Sequence, residues 1–113
     1  MKRLMWDSRQ KNKGKMLLMI DDKGLCEEVT KKLVKFEYRL LTSGENAVEK
    51  VFDEVPHLII IDENFNRGRG GETALFIKED AVLKYIPILL LVKGDPSALP
   101  REYDSIDGYV SKD

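Results

Sequence analysis

The sequence lacks any strong charge of one sign. Its formal net charge is −1 over 113 residues, so nothing global points to nucleic acid or membrane. It has a single cysteine, Cys26, so no internal disulfide can form, which suits a cytoplasmic address. It has no hydrophobic stretch of membrane-spanning length. It has no internal repeat and no low-complexity tract. Its one basic, apolar opening is too short for a secretory signal: Met16–Ile20 stops at Asp21-Asp22, well under the roughly 7–15 apolar residues required. At this length the chain can bury one core.

What is present is unevenly charged. Lys2, Arg3, Arg9, Lys11, Lys13 and Lys15 face only Asp7 in the first stretch, and the rest is acidic. Residues 1–14 therefore read as a basic leader and 15–113 as the domain. The leader reads as a solvated tail, with contact to an anionic partner as the alternative.

Hydrophobic patterning sets the fold class. Lys15–Ile20 is a short apolar run of the kind found in strands buried on both faces. Leu25, Val29, Leu33 and Phe36 recur at helical spacing and predict a helix over Gly24–Glu37. Tyr38–Leu41 reads as a second strand. Ala47, Val48, Val51 and Phe52 form the apolar side of a second helix, capped by Ser43 or Asn46 and ended by Pro56. Leu58–Ile61 is a β-branched strand ending at Asp62. A loop follows over Glu63–Gly71, then a helix over Glu72–Leu83 with Leu75, Phe76 and Ala74 inward. Pro87–Val92 is a fourth strand, Ala98–Tyr103 a short helix, and Tyr109–Ser111 a fifth strand. Apolar strands alternating with helices imply a doubly wound parallel sheet. Ligands then bind beyond the carboxyl ends of the strands. Asp21, Asp22, Asp62 and Lys112 all fall at that edge. Three carboxylates gathered there call for a cation, and Mg²⁺ suits an oxygen donor set that keeps waters. A carboxylate can also attack phosphorus and form an acyl phosphate.

With these pieces in order, the sequence resembles the receiver domains of two-component response regulators over about residues 15–113. The resemblance is carried by MLLMIDD (Met16–Asp22), TSGENAV (Thr42–Val48), PHLIIID (Pro56–Asp62), IPILLLV (Ile86–Val92) and GYVSK (Gly108–Lys112). It implies a flavodoxin-like (βα)5 fold. It implies that Asp62 is the phosphoacceptor, Asp22 a direct ligand of Mg²⁺, and Asp21 a ligand through water. It implies that Asn64 gives its backbone carbonyl to the metal, that Lys112 pairs with a phosphoryl oxygen, and that Tyr109 is the aromatic that moves on activation. The implied donor is a histidine kinase or phosphotransfer protein, and the implied readout an output domain, a partner protein or a homodimer. No direct nucleic-acid or membrane binding is expected, and no enzyme activity beyond self-catalysed phosphotransfer and dephosphorylation.

The sequence departs from the family at several positions. Val92 stands where the family has a Thr or Ser that bonds the phosphoryl group, and valine has no hydroxyl. Asn66 replaces a usual Pro, Arg69-Gly70 or Gly70-Gly71 replaces the Asp-Gly that opens the third helix, and Asp113 replaces the Pro after the lysine. The glycine- and arginine-rich loop is no P-loop, because no Gly-Lys-Ser/Thr follows it. The family's fifth helix has no residues here. The leader, through Leu4, Met5 and Trp6, or a second copy is expected on that face. These departures support an alternative, a pseudo-receiver that works as an interaction module without phosphorylation. A Mg²⁺-dependent phosphohydrolase is a third reading, and Glu63 is its only obvious general acid. His57 reads as an exposed loop residue and Cys26 as packing.

Overall fold

A computed structural model describes residues 14–113. The leader up to residue 13, with Leu4, Met5 and Trp6, lies outside the described residues. Five strands form one parallel sheet in the order β2-β1-β3-β4-β5. They are β1 (Lys15–Met19), β2 (Glu37–Leu41), β3 (Leu58–Asp62), β4 (Ile88–Val92) and β5 (Gly108–Ser111). Three helices alternate with them: α1 (Lys23–Lys32), α2 (Ala47–Glu54) and α3 (Gly70–Glu79). This is the flavodoxin-like arrangement expected from the alternating pattern. Among the described residues, no helix is long and apolar enough to cross a membrane.

The alternation of side chains along each strand divides the core in two. Leu17, Met19, Ile59, Ile61, Ile88, Leu90 and Val92 point to the face covered by α2 and α3. Leu18, Ile20, Ile60 and Leu91 point to the face covered by α1, where Leu25, Cys26, Val29 and Leu33 pack on them. Cys26 is thus a packing residue of this second face.

Element ends differ from the sequence pattern where pairing or packing intervened. α1 stops at Lys32, not Glu37, because β2 begins at Glu37 paired with Lys15, and the chain must turn before it. Phe36 falls in that turn and is exposed, so it is not part of the helix stripe. α3 begins at Gly70, two residues early, and ends at Glu79. Asp80 then accepts the Val82 and Leu83 amides and starts a 3-10 turn, Leu83–Tyr85, that buries Leu83. Gly70, Gly71, Ala74 and Ile77 form the buried side of α3, so Phe76 faces solvent, contrary to its expected inward place. Phe52 likewise lies outside the α2 core side formed by Ala47 and Val51. Two 3-10 turns, Pro96–Ala98 and Arg101–Ser105, replace the single short helix expected there.

Candidate functional site

β3 delivers Asp62 to the carboxyl edge of the sheet. Four apolar residues drive the strand into the core, and the acid is carried in with them at 1% exposure. β5 brings Lys112 beside it, and the Lys112 amide bonds the Val92 carbonyl at 2.7 Å, continuing the ladder past both strand ends. The Lys112 ammonium reaches Asp62 Oδ1 at 2.8 Å and Glu63 Oε2 at 3.5 Å. Glu63 Oε2 also accepts the Lys93 amide at 2.6 Å. Burial alone would lower the Lys112 pKa, but the Asp62 carboxylate and then Glu63 outweigh it and raise it. The lysine is therefore held as a cation. Asp62 Oδ2 is buried and has no hydrogen-bond partner among the described residues. A buried, unpartnered carboxylate oxygen is costly and calls for a functional reason.

Asp21 and Asp22 follow β1 at the same edge, but their side chains are exposed and engaged separately. Asp22 caps α1, its Oδ1 accepting the Leu25 amide at 3.1 Å. Asp21 Oδ2 accepts the Asn66 amide at 2.9 Å. The Asn64 carbonyl accepts the Gly68 amide at 3.0 Å. Among the described residues no three carboxylate, histidine or cysteine side chains converge to hold a metal ion. The structure thus joins Asp62 to Lys112 and leaves Asp21 and Asp22 at the edge without drawing them into a cluster. The donor set still fits a hard cation in kind. All of it is oxygen, and Asp62 Oδ2 lacks any partner.

The loop after Asp62 is built around one tight turn, Phe65–Gly68. Phe65 is fully buried and anchors it. Asn66 (φ 56°, ψ 55°) and Arg67 (φ 61°, ψ 41°) are left-handed, and Gly68 has φ 84°. A non-glycine residue in that region costs on the order of 1–2 kcal/mol, so the surrounding bonds must hold the turn in place. Arg67 and Arg69 line a polar cleft of about 460 Å³, together with Asp21, Ser43, Gly44 and Asn66. Gly70 then opens α3 against β3. A methyl group there would overlap the Asp62 carbonyl oxygen, so the close approach of α3 requires glycine.

Val92, fully buried on the α2–α3 face, presents no hydroxyl to the site. Tyr109 is partly buried beside the same cluster, and its hydroxyl donates to the Tyr103 carbonyl. Burial, followed by Asp104 and Tyr103, raises the Tyr109 pKa, so the phenol stays a donor. His57 is exposed, as expected. It exchanges two bonds with Lys15: its amide donates to the Lys15 carbonyl at 2.8 Å, and its Nδ1 accepts the Lys15 amide at 3.0 Å. Sequence reasoning missed the anchoring by Phe65 and the close approach at Gly70. A lone aromatic inside a polar loop was the available signal for the first.

No protein-family model and no curated protein sequence matches the chain. Solved structures do. The N-terminal domain of a response regulator receiver protein from Methanoculleus marisnigri JR1 is 26% identical with a TM-score of 0.73, covering 88% of this chain and 85% of that one. The phosphorylated cyanobacterial phytochrome response regulator RcpA is 25% identical with a TM-score of 0.74, covering 88% and 81%. The Mn²⁺-bound form of response regulator Rcp1 is 24% identical with a TM-score of 0.72, also covering 88% and 81%. In fold, in strand order and in the order of its motifs, the chain is similar to the receiver domains of response regulators.

Proposed function

We propose that this receiver domain accepts a phosphoryl group on Asp62. The observation that carries the reading is the Asp62 Oδ2 atom, buried without a partner while Lys112 holds Oδ1. Oδ2 is the nucleophile. It forms the new O–P bond as the P–N bond of a phosphohistidine breaks, and the leaving imidazole takes up a proton. Lys112 then pairs with a phosphoryl oxygen. Asp62 is so deeply buried that a donor reaches Oδ2 only when a neighbouring segment moves. Asp21, Asp22, Asp62 and the Asn64 carbonyl would hold Mg²⁺, whose chemistry is to offset the charge of the incoming phosphate. The donor is a cytoplasmic histidine kinase or phosphotransfer protein, and the readout an output or partner protein. The domain has no enzyme activity beyond its own phosphotransfer and dephosphorylation.

One observation favours a second reading, a pseudo-receiver acting as an interaction module. Val92 cannot bond a phosphoryl group. Incubation with Mg²⁺ and a small phosphodonor, with Asp62→Asn as control, decides between them. Mg²⁺-dependent labelling lost in Asp62→Asn supports phosphoacceptance. No labelling at saturating donor overturns it in favour of the interaction module.

A further inference from the structure

We infer that a divalent cation and the Phe65–Gly68 turn compete for the same oxygens, so that cation binding drives the left-handed turn open. The inference rests on the cation reading above and adds to it the Phe65–Gly68 turn, whose own residues take no part in phosphotransfer. Two of the four cation donors are also the fastenings of the turn. The Asn64 carbonyl accepts the Gly68 amide at 3.0 Å, and Asp21 Oδ2 accepts the Asn66 amide at 2.9 Å. The Arg69 amide adds a third bond, to the Phe65 carbonyl at 2.9 Å.

The turn needs these bonds because its backbone is strained. Asn66 and Arg67 are consecutive non-glycine residues in the left-handed region. Among the described residues the carboxylate side chains do not converge as they stand. Aiming the Asn64 carbonyl at Asp62 rotates the following peptide and breaks the Gly68 bond. With that bond lost and Asp21 drawn towards the cation, sterics return Asn66 and Arg67 to the right-handed or extended regions. Arg67 and Arg69, which line the cleft beside Asp21, then shift. The cation is thereby converted into a change of surface charge next to the acceptor, by a route that needs neither Val92 nor Tyr109.

The test is Mg²⁺ titration of the full chain, with backbone amides followed by NMR, for the wild type and three variants. In the wild type the Asn66 and Gly68 amides should shift together with those near Asp62. In Gly68→Ala the new β-carbon meets nothing within 4 Å, so the change adds backbone strain alone. It should weaken the turn and tighten Mg²⁺ binding several-fold. Arg67→Gly relieves strain and should weaken Mg²⁺ binding several-fold. Arg67→Gln removes the charge but keeps the β-carbon, and it should not weaken binding. Mg²⁺ shifts that spare Asn66 and Gly68 overturn the inference. So does an Arg67→Gly affinity no lower than that of Arg67→Gln, and so does the absence of Mg²⁺ binding in both the wild type and Gly68→Ala. Labelling of Asp62 is not read here. A protein that opens its turn with Mg²⁺ yet takes no phosphate keeps this inference and loses the phosphoacceptor reading.

Discussion

Asp62 and Lys112 form an unequal pair. Asp62 is sealed at 1% exposure with one oxygen unpartnered, while Lys112 has Glu63 as a second anion. Removing the lysine strands a buried charge, and such losses cost about 3–5 kcal/mol. Removing the charge on the acid leaves the lysine with Glu63. Urea melts should therefore show Lys112→Met losing about 3 kcal/mol and Asp62→Asn losing less than about 1 kcal/mol. Equal losses would show that Oδ2 is not an isolated buried atom. Val92 sets a second contrast. A hydroxyl placed at this dry position, as in Val92→Thr, should cost about 1–2 kcal/mol. In return it can bond a phosphoryl group, an interaction of about 1.5–3 kcal/mol. Beryllofluoride should leave the Tyr109 ring on the Tyr103 carbonyl in the wild type and displace it in Val92→Thr, as read by aromatic NMR shifts. Equal displacement in both removes Val92 from the account.

Between elements, the Lys78–Asp107 pair ties α3 to the beginnings of β4 and β5. Asp107 Oδ2 accepts the Lys78 ammonium and the Ile88 amide, each at 2.8 Å, and Lys78 also bonds the Ile86 carbonyl at 3.1 Å. Burial would raise the Asp107 pKa, but Lys78 and the Ile88 amide outweigh it and hold it below the ordinary value. A carboxyl with a lowered folded pKa stabilises fully above the ordinary aspartate range, about pH 4, and loses that contribution as pH falls through the folded value. The Asp107 side chain is 43% exposed, so solvent screens the pair. Asp107→Asn should cost about 1 kcal/mol at neutral pH and lose less stability than the wild type between about pH 5 and pH 2. Parallel stability curves for the two proteins would place the acid sensitivity elsewhere. Gly70 makes a sharper demand at the start of α3. Gly70→Ala pushes the helix off the Asp62 carbonyl and should cost at least about 2 kcal/mol in denaturant titration.

At the scale of the molecule, and among the described residues, the two faces of the sheet are unequally covered. α2 and α3 lie over the larger cluster, while a single helix, α1, lies over Leu18, Ile20, Ile60 and Leu91. Leu40 pairs with Leu18 and Val110 with Leu91, so both share the α1 face at opposite edges of the sheet, and both are exposed. Stability should follow this asymmetry. Ile59→Ala or Ile61→Ala, under α2 and α3, should each cost about 2–5 kcal/mol. Leu40→Ala or Val110→Ala should each cost less than about 1 kcal/mol, because partial exposure leaves little transfer free energy to lose. A Val110→Ala loss equal to that of Ile59→Ala would show that this edge is covered.

The strands, their order along the chain and the acids that end them were legible in the sequence, because a strand buried on both faces has to be almost wholly apolar and a charge marks where it leaves the core. Runs such as Leu58–Ile61 followed by Asp62 carry that signal without help from the rest of the chain. The helix ends were less legible. The length of α1 was decided by the pairing of Lys15 with Glu37, and the rotation of α3 by the close contact of Gly70 with β3, both between residues far apart in sequence. The site divides in the same way. The edge that gathers Asp21, Asp22, Asp62 and Lys112 follows from where each strand stops. Which oxygen stays unpartnered, and that Asp21 and the Asn64 carbonyl fasten a left-handed turn, depends on backbone amides placed by the loop after Asp62. Residue types mark where chemistry can occur, but hydrogen bonds to backbone carry no sequence signature, so only the tertiary structure decides how those groups are spent.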